Sequence, residues 1–323
     1  VIVACVACAR SEPPAAMFPA SGIVHTLAFS PDGRFLAAAE VVEPLAATNN
    51  ARITIRRVPD GEIVRALAGH TDAVWAVAWS PDGQQLASAG RDNTIRLWRV
   101  ADGAPLASWS PPTHHADGVM SVAFSRDGSI IAAAGADGAW TWRVSDRQLL
   151  ATRSTGSADV AFSPDGRTVA TRGTGAIDFW DARDGHRIFV IDDPHVGLCG
   201  LTFSPDASGI ATCDNGDVDL RRLPDGGVTQ RLRGNPKVTW RLAFSADGKL
   251  LFTGGTDSEE GPRRDEASFP LDGVRVWRVR DGKLLARLPT KEQSLRALAV
   301  SSDGHWLGAG FADTIALWRV TWQ

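Results

Sequence analysis

His114 and His115 stand side by side, Asp192, Asp193 and His195 share one short polar segment, and acids crowd the stretch from Asp257 to Glu266. Imidazoles and carboxylates grouped in this way are the usual ligands of zinc and calcium. A His beside an Asp is also half of a relay that activates a nucleophile. None of these groups has the spacing that makes such chemistry specific. No G-x-S-x-G elbow, H-E-x-x-H helix, Walker loop or dinucleotide fingerprint occurs. Gly248-Lys249 and Gly282-Lys283 read as turns rather than phosphate loops. A solvated loop accounts for each acidic group. No catalytic residue, cofactor or metal is therefore assigned, and a non-enzymatic role is expected.

The chain has four cysteines, too few for a disulfide scaffold. Cys5 and Cys8 form a C-x-x-C with apolar flanks, no second pair and no nearby His, which is a poor zinc or redox site. Ile2-Val3-Ala4-Cys5 resembles a bacterial lipoprotein cleavage box, with Cys8 in a second register. Residues 1–14 are then an export or lipoprotein remnant and its tether, and the protein would be exported or lipid-anchored in the cell envelope. The end of a transmembrane helix from a longer receptor or kinase, and a cytoplasmic start, are the alternatives. The apolar run at residues 1–9 is too short to span a bilayer. Cys199 and Cys213 flank the turn Ser204-Pro205-Asp206-Ala207. A three-residue hairpin there would pair 204 with 208 and, counting outward, Cys199 with Cys213. In an exported protein that pair would suit a disulfide; two buried thiols are the alternative.

The elements that must position these groups are read from a repeat. The string Phe-Ser-Pro-Asp-Gly, or a close variant, starts at Phe29, Trp79, Phe124, Phe162, Phe203, Phe244 and Val300, at intervals of 38 to 56 residues. Pro and Gly in Ser-Pro-Asp-Gly suit the second and fourth places of a tight turn. A β-prone run such as Val74–Trp79 precedes each turn. Further runs follow, such as Leu86–Ala89, Thr94–Val100 and Pro105–Trp109. Four short strands repeated seven times indicate an all-β fold, a seven-bladed β-propeller of four-stranded antiparallel blades. The expected domain is residues 15–323. The excess of Gly (32) and Pro (18) in this 323-residue chain is then explained by two tight turns per blade. The formal charge of −3 and the pI near 6.2 argue against a nucleic-acid partner.

The last repeat ends after a third strand. An open ring would leave bare strand edges. Leu67 lies 12 residues before Trp79, and the same step back from Phe29 reaches Met17. Residues 15–19 are therefore expected to supply the outer strand of blade seven.

The stretch Gly69–Val100 carries Gly-His, the turn Asp and a third-strand Trp, and by these residues the chain resembles the WD-repeat family of bacterial type. The resemblance covers roughly residues 15–323. It implies a structural hydrogen-bonded chain of His70, Ser88, Asp92 and Trp98 in blade two, with His115 in the His slot of blade three. The Trp slot is filled by Trp98, Trp142, Trp180, Trp277 and Trp318, and by Arg56 and Arg221 in blades one and five.

The Ser-Pro-Asp-Gly and Asp-Gly turns make one stereotyped face. The opposite face varies and holds two long insertions, Glu40–Asn50 and Thr256–Asp272, on either side of blade seven. Four residues before each motif lie His25, Trp75, Met120, Ala158, Cys199, Trp240 and Arg296. In proteins that resemble this one, that slot lines the channel mouth where peptides dock. His25, Trp75, Met120, Trp240 and Arg296 are accordingly the expected partner-binding residues. Packing of Trp75 and Trp240 between blades is the alternative. The leading expectation is a monomeric scaffold for a protein or peptide partner. A propeller hydrolase of lactonase-like type and a sensor domain of a larger protein are the other readings.

Overall fold

Each motif closes its hairpin with its own side chains. In blade two, Gly83 N–H donates to Ser80 O at 2.9 Å. Ser80 Oγ–H donates to Asp82 Oδ1 at 2.6 Å, and Gln84 N–H reaches the same oxygen at 2.9 Å. With the Ser80 carbonyl taken by the turn, Gln85 N–H goes to Ser80 Oγ instead, at 2.9 Å. Gly83 sits at φ 69°, in the left-handed region. The Ser–Asp contact recurs in all seven motifs at 2.5–2.7 Å.

In blade five, Ala207 stands where the others have Gly, yet it keeps the same backbone, with φ 60°. Ser204 N–H donates to Gly209 O at 2.9 Å, and Leu201 pairs with Thr212 and Phe203 with Ile210. This corrects the three-residue count at that turn. The Ser204 hydroxyl takes Gly209 N–H at 2.9 Å and lets the loop run one residue longer. Continued one step, the register faces Cys213 with Gly200, whose carbonyl lies 3.5 Å from Cys213 Sγ. Cys199 lies outside the described residues, and the register that would have paired it with Cys213 is not the one formed.

The computed structural model describes residues 2–3, 13–41, 51–114, 116–154, 156, 159–173, 175–192, 200–214, 216–233, 238–256, 273–288 and 295–321. Every regular element among them is a β-strand. The strands form seven antiparallel meanders in chain order. The innermost strands are Ile23–Phe29, Val74–Trp79, Val119–Phe124, Val160–Phe162, Leu201–Phe203, Val238–Phe244 and Ala297–Val300. Each touches the next, and the seventh touches the first, so the blades close into a ring.

Ala16–Pro19 completes blade seven, pairing antiparallel with Thr314–Thr321 (Met17 with Ala316, Phe18 with Ile315). Phe18 is buried, and its ring fills the space above Gly61 of blade one. One strand therefore ties the last blade to the first. Ile2–Val3 adds a short parallel strand at the far end of Thr314–Thr321, which the repeat did not anticipate.

The core lies between blades. Ile53, Ile55 and Leu67 of blade one pack against Val77, Trp79, Leu86 and Trp98 of blade two, and the pattern repeats round the ring. The second strands are covered on both faces, as in Ile130–Gly135, where every residue is buried. Their alanines (Ala37–Ala39, Ala132–Ala134) let neighbouring blades approach, while large residues from the first and third strands fill the gap. Glu40 and Val41 belong to the second strand of blade one and are buried, and Thr256 ends the second strand of blade six. The remainder of both insertions lies outside the described residues.

Candidate functional site

Trp98 carries the structural logic of a blade. Its indole N–H donates to Ser88 Oγ at 2.8 Å, Ser88 Oγ lies 2.7 Å from His70 Nε2, and His70 Nδ1 lies 2.9 Å from Asp92 Oδ2. Asp92 also accepts Thr71 N–H at 3.0 Å. Burial alone would raise the Asp92 pKa. The bonds to His70, Thr94 and Thr71 outweigh it and hold the group at about 2. This chain is a closed polar network inside an apolar blade.

Elsewhere the network is abbreviated by a simple rule. The Ser88 position recurs as Thr171 and Thr253, and the indoles of Trp180 and Trp277 donate to those hydroxyls at 3.3 and 2.9 Å. In blade seven the position is Ala309, and the Trp318 indole N–H is buried with no acceptor. In blade five, Arg221 donates to Thr212 Oγ1 at 3.4 Å and to Asp219 Oδ2 at 3.2 Å. Trp142 is buried in the same slot of blade three; its predicted His partner, His115, lies outside the described residues.

At the other end of the inner strands, the slot residues share a backbone device. Register shifts fall between Val24 and Thr26, Val74 and Ala76, Val119 and Ser121, and Thr239 and Arg241. His25, Trp75, Met120 and Trp240 are thus the extra residue of a β-bulge, the arrangement that re-aims a side chain out of the ladder. Of Trp240 only this strand position is described. Arg296 precedes the inner strand of blade seven, and its N–H donates to Gly310 O at 3.0 Å. Ala158 and Cys199 lie outside the described residues.

The structure brings several of these side chains together. His25 and Trp75 meet edge to face with ring centroids 4.7 Å apart. Trp75 Nε1–H donates to Asp117 O, in the loop into blade three, at 2.9 Å. Trp75, Met120 and His25 are half-buried, and Arg296 is exposed. Burial, then the charges of Arg296 and Arg241, lower the His25 pKa to about 4.

Two charged residues escaped the sequence reading. Arg241 donates to Arg296 O at 3.3 Å and to His25 O at 3.1 Å, linking blades six, seven and one. Asp159 accepts the Ser121 hydroxyl at 2.7 Å and Leu201 N–H at 3.0 Å, linking blades three, four and five. Both sit three residues before their motifs. The other blades have Thr26, Ala76, Ser121, Gly200 and Ala297 there. A single acid and a single base in an otherwise small, uncharged ring was the available signal. Burial pulls the Arg241 pKa down, and the charge of Asp159 acts against that.

No group of three or more His, Cys, Asp or Glu among the described residues is arranged to hold a metal. His195 and the acids from Asp257 to Glu266 lie outside them, as do Cys5 and Cys8. No described helix is long and apolar enough to cross a membrane.

The model of the WD domain, G-beta repeat, matches residues 13–40, 61–99, 105–140 and 226–259. The chain is 49% identical over 78 residues to an uncharacterized WD repeat-containing protein of Synechocystis sp., covering 24% of this chain and 20% of that one. It is 38% identical over 85 residues to WD repeat-containing protein 1-B of Xenopus laevis, covering 26% and 13%. It is 48% identical over 48 residues to a probable cytosolic iron-sulfur protein assembly protein of Chlamydomonas reinhardtii, covering 15% and 14%. The chain thus spans a fifth or less of these relatives' length. With the repeat matched in blades on both sides of the ring and seven blades of one grammar, the chain belongs to the WD-repeat β-propellers.

Proposed function

We propose that the protein is a non-enzymatic scaffold that captures a protein or peptide partner at the channel mouth on the variable face. WD-repeat proteins in general bind protein partners, and the fold alone does not say where. The observation that carries the reading is the bulge. In four blades it turns the same slot residue out of the ladder, and the residues so presented include Met120 and the His25–Trp75 pair, with Arg296 acting on His25. Aromatic, Met and Arg side chains around an opening are the composition of interface hot spots. The stereotyped turns of the opposite face are spent on their own Ser–Asp contacts. Affinity capture with mass spectrometry tests the reading. A folded Trp75→Ala/Trp240→Ala variant is expected to lose the captured protein, and retained capture would reject the site.

A further inference from the structure

The mouth is electrostatically lopsided. Arg241, Arg296 and His25 converge where blades six, seven and one meet: Arg241 bonds the backbone of both others, and both arginine charges act on the His25 ring. Among the described residues the acid that acts on Arg241 from within the same ring is Asp159. Its two oxygens already hold Ser121 Oγ–H and Leu201 N–H. The oxygens that Arg241 does bond are carbonyls, which carry no full charge. Glu40, the buried acid of blade one, is committed to Arg56 and Thr54. Arg296 is exposed, and no described side chain pairs with it. Among the described residues, Arg241 and Arg296 therefore place two positive charges beside His25, on one side of an aromatic pair.

We infer that the channel mouth selects a peptide carboxylate, received by the Arg296 guanidinium and the remaining edge of Arg241, with the Trp75 ring beside it. This rests on the reading of the mouth as a docking site. The Nε–Nη2 edge of Arg241 is used on Arg296 O and His25 O, which leaves one side of that guanidinium for an incoming anion. Arg296 keeps its whole fork, the geometry that matches a carboxylate.

Two sources supply a carboxylate: an Asp or Glu side chain, and a chain terminus. The test uses two random peptide libraries on phage, one fused at the peptide's C-terminus so that only side-chain carboxylates are offered, the other displaying free C-termini. The wild-type chain is expected to enrich Asp- or Glu-bearing peptides from the first library or free-terminus binders from the second. Arg296→Gln is expected to weaken the selected peptides at least about tenfold, Arg296→Lys less, and Trp75→Ala to weaken them too. Enrichment of neutral or basic peptides, or equal binding by Arg296→Gln, overturns the charge selection. If those peptides still depend on Trp75, the docking site itself stands. Enrichment of nothing from either library overturns both.

Discussion

Inside blade one, Arg56 Nη2 donates to Glu40 Oε1 at 2.8 Å, with both side chains almost cut off from water. Arg56 occupies the slot that Trp98 fills in blade two. Glu40 Oε2 accepts Ser21 N–H at 2.7 Å, much as Asp92 accepts Thr71 N–H. An ion pair has replaced a Trp–Ser–His–Asp chain while the carboxylate keeps the same backbone contact. Burial opposes the charge on Glu40, but Arg56, the Ser21 N–H and the Thr54 hydroxyl together hold its pKa below the usual range.

Removing one partner of such a pair strands the other in the core. Glu40→Ala is expected to cost about 3–5 kcal/mol of unfolding free energy. Arg56→Ala/Glu40→Ala should cost less than the two single changes added together. Denaturant titration of the three variants measures both. Additive losses would mean that the two groups do not stabilise each other.

The Trp318 indole gives the converse test. Ala309 stands where Ser88 or Thr253 receives the indole in other blades, and Trp318 Nε1–H has no acceptor. Ala309→Ser should restore the bond and gain about 1 kcal/mol, or roughly 2 °C in Tm. The mirror change, Ser88→Ala, should lose about 1–3 kcal/mol, because it orphans both Trp98 and His70. A fall in Tm for Ala309→Ser would show that the site has no room for the hydroxyl.

Ala207 holds a left-handed backbone at φ 60°, where six sister turns have Gly. That conformation costs an L-residue about 1–2 kcal/mol, against about 0.5–1 kcal/mol for the extra freedom of Gly in the unfolded chain. Ala207→Gly should therefore stabilise by about 0.5–1 kcal/mol, read as a rise in the denaturation midpoint at unchanged slope. Destabilisation would mean that the strain is relieved elsewhere in the turn.

Much of this was legible because the signals are local. The Ser-Pro-Asp-Gly turn sets its own geometry within a few residues, so blade count, strand order and the N-terminal closure at Met17 followed from spacing. The features that escaped reading depend on distance. Arg241 reaches His25 O across 216 positions of chain, and no local pattern announces such a bond. Glu40 replaces Asp92 from a different strand position, which a motif alignment passes over as part of an insertion. The Cys213 register failed for a smaller reason, a Ser204 hydroxyl taking the place of a backbone carbonyl.

His25 predicts a pH dependence. Its pKa is about 4 in the folded chain and near 6.5 when unfolded. Between those values the unfolded chain binds the proton and the folded one does not, so this contribution is complete above pH 6.5 and is lost as pH falls towards 4. Most carboxylates titrate lower, Asp92 at about 2 among them. Wild type should lose about 2 kcal/mol more than His25→Gln between pH 7 and pH 4.5. Parallel melting profiles for the two proteins would contradict the assignment.

The docking claim is tested most directly by hydrogen–deuterium exchange on the protein with and without its captured partner. Protection is expected in the loops that lead into the bulged strands, at Ser21-Gly22, Thr71-Asp72 and Ala116–Gly118. Protection confined to the Ser-Pro-Asp-Gly turns, such as Ser80–Gly83 and Ser125–Gly128, would place the partner on the opposite face and contradict the account.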